Sequence, residues 1–165
     1  VIYLDTAYLV KCYVPEPGSR EVRRLASEEG RVACCAYGRA ELASAVHRKA
    51  REGVLTAEAL QVVFRQIRLD EEERVVCWFP VTESLLDAVV RAYERLPTDT
   101  FVRAGDAVHL VCARDQGFTE IHSSDRHLLA AAPLFGLAGR NDLPDLPLGA
   151  PIIPAAGRRP GRAGT

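Results

Sequence analysis

Short apolar runs suited to strands alternate along this chain with stretches of helical spacing, and no connection between successive runs is as short as a hairpin. Residues 1–4 form the first run, and a helix follows over 6–14 until Pro15 and Pro17 stop it. Ser19 is placed to cap SREVRRLASEEG, with Val22, Leu25 and Ala26 on one face and Gly30 closing it. RVACCAY reads as the second strand and residues 38–53 as a helix. Thr56 then opens a further helix striped by Leu60, Val63, Phe64 and Ile67. Residues 75–81 make a third strand, Thr82 caps TESLLDAVVRAYERL, and a loop covers 96–105. An apolar helix starting at Asp106 and ending at Gly117 precedes the strand TEIHSS and the helix DRHLLAAA. Strands joined by helical crossovers pair in parallel, so the expected fold is α/β, with a mainly parallel sheet covered by helices. Ligands in such folds bind beyond the carboxyl ends of the strands.

Length and composition bound the rest. A chain of 165 residues with 48% hydrophobic residues fills one core. After Asn141 the pattern gives way to DLPDLPLGAPIIPAAGRRPGRAGT, dense in Pro, Gly and Ala, so a domain over 1–140 and a tail over 141–165 are expected. The tail carries Arg158, Arg159 and Arg162. No apolar stretch approaches the roughly 20 residues of a membrane span, and the start lacks a basic, then apolar, signal pattern. A soluble, cytoplasmic protein is expected. Its net charge of −1 means that attraction to nucleic acid has to come from local patches. Cysteines at 12, 34, 35, 77 and 112 show no zinc spacing and read as packing residues.

Four acidic residues, Asp5, Glu41, Asp106 and Asp125, stand where apolar segments turn. A carboxylate at the mouth of a buried element needs a partner. If the fold gathers all four, their repulsion raises their pKa values unless divalent cations hold them ionised. Each has an ordinary alternative: Asp125 can cap its helix, Asp106 can favour its helix dipole, Asp5 can serve a turn, and Glu41 can lie on a solvated face.

In motif order these residues resemble those of the PIN-domain family, most closely the VapC-type toxins of toxin–antitoxin pairs. LDTAYLVKCYVPEPGS carries the opening Asp5 and Thr6, YGRAELASAVHRKAREG the helical Glu41, AGDAVHLVCA the Asp106, and SSDRHLL the Asp125, with Ser123 where the family usually has Thr. The resemblance spans about residues 1–140. It implies a three-layer α/β/α sandwich and an endoribonuclease that uses Mg²⁺ or Mn²⁺. Asp5 and Asp106 are the principal metal ligands on this reading. Asp125 is a ligand directly or through water, and Glu41 a ligand or the orienter of the attacking water. Thr6 and Ser123 support them by hydrogen bonds. A VapB-type antitoxin and a homodimer are implied as partners. The alternative is a PIN-like module that binds RNA or protein without cutting.

Arg48, Lys49 and Arg51, on the helix of Glu41, are candidates for contact with RNA phosphates. Arg20, Arg23 and Arg24 read as a solvated face, His109 as a packed core histidine or, three residues after Asp106 on the same helix, a support for the acids, and Trp78 with Phe79 as core.

Overall fold

The structure, a computed structural model, describes residues 1–143. Of the expected tail, Arg158, Arg159 and Arg162 lie outside the described residues.

Among the described residues five short strands run in parallel. Strand β1 (Ile2–Tyr3) pairs with β2 (Val32–Cys35), Tyr3 opposite Ala33, and β2 pairs with β3 (Val76–Phe79), Cys35 opposite Phe79. Strand β4 (Glu120–His122) pairs with β5 (Ala138–Arg140). A parallel bridge from Leu4 to His122, with the Asp5 amide donating to the His122 carbonyl at 3.0 Å, links the two sets. The connections are helical: α1 (Thr6–Tyr13) and α2 (Ser19–Glu29), then α3 (Tyr37–Arg51) and α4 (Ala57–Glu72), then α5 (Glu83–Tyr93) and α6 (Ala104–Asp115). The last α-helix among the described residues, α7 (Arg126–Ala131), follows β4, and a 3-10 turn over Ala132–Phe135 follows it.

Alternate strand residues face opposite sides of the sheet, and each side is apolar because each is covered. Leu4, Val32, Cys34 and Val76 pack with Leu9, Leu42, Val46 and Ile67 of α1, α3 and α4. Tyr3, Ala33 and Cys35 pack on the other side with Leu85, Leu110, Val111 and Leu128 of α5, α6 and α7. This is the expected three-layer α/β/α sandwich. The five cysteines are free thiols, and Cys34, Cys35 and Cys112 are buried in these two cores.

Thr56 and Thr82 cap α4 and α5 through their hydroxyls, Thr82 as expected. Ser19 does not cap α2. Gly18, with φ of 84°, occupies that position, and the Ser19 hydroxyl instead donates to the Val14 carbonyl and accepts the Glu16 amide, closing the proline-rich turn. Helix α6 starts at Ala104, so Asp106 lies within its first turn rather than ahead of it. Strand β5 is an addition to the expected elements. Its residues AGR have little strand preference and are exposed, and they are held by amide bonds to the Thr119 carbonyl and from the Ser123 amide. Beyond it, the Tyr8 hydroxyl donates to Asn141 Oδ1 and accepts the Asp142 amide, which lays residues 141–143 against α1.

Candidate active site

Asp5 leaves the carboxyl end of β1 and is the N-cap of α1, where Oδ1 accepts the Tyr8 amide at 3.0 Å. Its other oxygen accepts the Ser123 hydroxyl at 2.5 Å, and the Ser123 Oγ accepts the Asp125 amide at 2.8 Å. The ends of β1 and β4 are thereby pinned together. Glu41, on α3, accepts two bonds at Oε2, from the Thr6 hydroxyl at 2.6 Å and from His109 Nε2 at 2.9 Å. Asp106 accepts the Arg103 amide at 3.3 Å. Asp125 caps α7 by accepting the His127 and Leu128 amides at Oδ1, and its Oδ2 meets Arg103 Nη1 at 3.0 Å. The four acidic side chains line one cavity of about 360 Å³, together with Thr6, Tyr37, Arg103 and His109.

The carboxylates divide by environment. Asp5 is 4% exposed, and burial pushes its pKa up to about 6 against the opposing bonds from Ser123 and Tyr8. Asp106 is also raised, by burial first and then by the charge of Asp125. Glu41 is lowered: burial works against ionisation, but His109 and Thr6 outweigh it. Asp125 is lowered for a like reason, burial being outweighed by the two capping amides and Arg103.

His109 is 2% exposed and held above its ordinary value; burial pushes it down, and its bonds to Cys34 and Glu41 more than reverse this. Burial also raises the Cys34 thiol, which stays neutral, so Glu41 is the partner whose charge matters. The other ring nitrogen lies 3.1 Å from the Tyr3 hydroxyl, which accepts the Cys35 amide at 2.9 Å. A line of bonds therefore runs from the β2 backbone through Tyr3 and His109 to Glu41. Two glycines let the helices close around it. A Cβ on Gly38 would stand 2.7 Å from Cys34 Sγ and 3.2 Å from Thr6 Oγ1, and one on Gly105 would stand 3.1 Å from Glu41 Oε1.

A divalent cation suits this donor set on chemical grounds. Hard cations take carboxylate oxygens. Asp5 and Asp106, the two acids raised by burial, have no salt bridge among the described residues, and Glu41 Oε1 and Asp106 Oδ1 accept no hydrogen bond there. Among the described residues no three His, Cys, Asp or Glu side chains form a ready cage for an ion.

The sequence points to all four acids, but not to Arg103 or Tyr37, which line the same cavity. It reads His109 first as core packing, with a supporting role beside Asp106 as the alternative, and the residue is both buried and bonded to Glu41. Its position three residues after Asp106 is the only local signal. Of the basic candidates, Arg48 borders a neighbouring cavity of about 540 Å³ that shares Thr6, Tyr37 and Glu41 with the acidic one. Lys49 is paired with Glu16 at 3.0 Å, and Arg51 is exposed.

Comparison of the sequence with curated proteins gives no match. Among solved structures, the chain is similar to Mycobacterium tuberculosis VapC20, described as a Sarcin-Ricin loop cleaving toxin, with a TM-score of 0.63 and 20% identity, covering 79% of this chain and 95% of that one. That likeness shows a shared fold. The PIN domain family model matches residues 2–133, which include Asp5, Glu41, Asp106 and Asp125, and the chain belongs to the PIN domain family.

Proposed function

We infer that this protein is a metal-dependent endoribonuclease that hydrolyses RNA phosphodiesters and acts as the toxin of a VapBC-type pair. The observation that carries the reading is the convergence of Asp5, Glu41, Asp106 and Asp125, from four different elements, on one cavity. A Mg²⁺ or Mn²⁺ ion held by these carboxylates would supply Lewis-acid chemistry, lowering the pKa of water so that hydroxide is available to attack phosphorus and offsetting charge on the leaving oxygen.

Asp5 and Asp106 are the residues that hold the cation, because burial makes their charge costly without one. Ser123 keeps the Asp5 carboxylate oriented, and Thr6 with His109 fixes one oxygen of Glu41 so that the other faces water or substrate. Asp125 serves the site through Oδ2 while its first oxygen caps α7. Arg48 and Arg51 are offered as phosphate contacts, with Lys49 positioned by Glu16 beside them. The similarity to a VapC described as a Sarcin-Ricin loop cleaving toxin supports RNA as the substrate and a small VapB-type antitoxin as the partner, with a homodimer as the assembly. No described helix is long and apolar enough to cross a membrane.

The test is incubation of the purified chain with a mixed RNA pool in Mg²⁺, Mn²⁺ or chelator, beside Asp5→Asn and Asp106→Asn. Cleavage by wild type alone, abolished by chelator and reduced at least roughly 100-fold in both variants, is expected. Metal and RNA binding without cleavage, and without growth arrest on expression, identifies a non-cleaving binding module instead.

A further inference from the structure

The loop leading into α6 holds an aromatic side chain in the open. Phe101 is 57% exposed, an uncommon setting for a ring that gains free energy from burial. The loop around it is not loose. The Thr100 amide bonds the Pro97 carbonyl, the Tyr93 hydroxyl bonds the Val102 carbonyl at 3.1 Å, and the Arg103 amide bonds Asp106. The Phe101 ring lies 4.4 Å from the His127 ring, tilted by 51°, and the Arg103 guanidinium carbon lies 5.5 Å from its centre. Arg126 Nε approaches His127 Nε2 at 3.3 Å. One ring, one imidazole and two guanidinium groups thus gather on a single rim. Arg103 also reaches the acidic cavity, where it meets Asp125.

We propose that Phe101, Arg103, Arg126 and His127 form a subsite for one unpaired nucleotide of single-stranded RNA beside the acidic cavity, its base stacked on Phe101 and its phosphate met by the two guanidinium groups. This deepens the ribonuclease reading and rests on it for the identity of the ligand. An acidic pocket on a chain of net charge −1 repels a polyanion, so the strand needs cations at the mouth. Arg103 and Arg126 supply them at the ends of α6 and α7, next to Asp106 and Asp125. A held, half-open aromatic ring beside an arginine and an imidazole, with a second arginine next to the imidazole, is suited to binding unpaired bases without reading their edges. A duplex keeps its bases stacked on one another and offers none to the ring.

The experiment measures binding rather than cleavage, so it stands apart from the test of the ribonuclease reading. Fluorescence anisotropy follows a labelled single-stranded ten-nucleotide RNA titrated with the full chain in chelator. Phe101→Ala and Phe101→Leu are expected to weaken binding roughly 5- to 100-fold, while Phe101→Tyr keeps it within about threefold. An oligomer of the same length with abasic sugars, which keeps every phosphate, is expected to bind wild type and Phe101→Ala alike. A Phe101→Trp variant is expected to lose indole fluorescence as RNA is added, beyond any change in wild type. Because Phe101 is exposed, thermal unfolding of the variants should match wild type; Phe101→Leu, which keeps apolar bulk without a stacking face, guards against a packing effect. Equal affinity of wild type and Phe101→Ala for the natural oligomer overturns the proposal. So does equal weakening of the natural and abasic oligomers, or tight binding of the matching duplex, or no measurable RNA binding by wild type.

Discussion

Ser123 Oγ donates to Asp5 Oδ2 at 2.5 Å across 118 residues of sequence, and the same hydroxyl accepts the Asp125 amide. One buried side chain thereby sets the orientation of two of the four acids. Ser123→Ala is expected to reduce metal affinity and RNA cleavage by roughly 10- to 100-fold, and Ser123→Thr to restore most of both. Calorimetric metal titration and a cleavage time course measure the two losses.

Burial of Asp5 has a consequence for stability with a definite sign. Its folded value of about 6 lies above the roughly 3.9 of an unfolded chain, so the native state binds the proton more tightly. The group favours folding below about pH 4, that contribution fades between about pH 4 and 6, and the ionised carboxylate costs about 2–3 kcal/mol above it. Asp5→Asn keeps an N-cap and removes the charge. In chelator at pH 7.5 it is expected to gain about 1–3 kcal/mol in urea unfolding, and to gain little at pH 4. A variant less stable than wild type at pH 7.5 contradicts this account of the site.

Metal binding relieves the same cost. Millimolar Mg²⁺ or Mn²⁺ in roughly 10- to 100-fold excess over Kd stabilises the fold by about 1.4–2.7 kcal/mol, a rise of roughly 3–11 °C in Tm for a domain of this size. Asp106→Asn is expected to flatten that rise. Thermal melts with and without each ion are sufficient, and an unchanged response in the variant removes Asp106 from the metal site.

Asp125 has two jobs that one substitution separates. Asn keeps the cap on α7 but carries no charge for Arg103 or a cation. Asp125→Asn is expected to stay within about 0.5 kcal/mol of wild type in stability while losing at least roughly tenfold in cleavage. Asp125→Ala is expected to lose both activity and about 1 kcal/mol. If Asp125→Asn cleaves as wild type does, capping is the residue's whole role.

The line from Tyr3 through His109 to Glu41 is testable without touching the acids. Tyr3→Phe removes one hydroxyl and leaves the Cys35 amide and His109 Nδ1 without that partner in a buried setting. A loss of about 1–3 kcal/mol in urea unfolding is expected. A neutral outcome means that the hydroxyl contributes nothing net to holding the ring.

Much of this molecule is written locally. Strand and helix order, the Thr56 and Thr82 caps and the stops at Pro15 and Gly30 depend on residues within a few positions of each other, and periodicity exposes them. The four acids were also legible: Asp5, Asp106 and Asp125 interrupt apolar runs near the ends of elements, and Glu41 falls among the small apolar residues of its helix in the family's motif order. The tertiary structure decided what each acid meets: Ser123 for Asp5, His109 with Thr6 for Glu41, Arg103 for Asp125. It also decided that AGR would be a strand and that Ser19 would close a turn instead of capping a helix. These outcomes turn on partners distant in sequence or on the path of a neighbouring loop. The parallel order of the strands, which brings the ends of β1 and β4 side by side, creates the contact of Ser123 with Asp5.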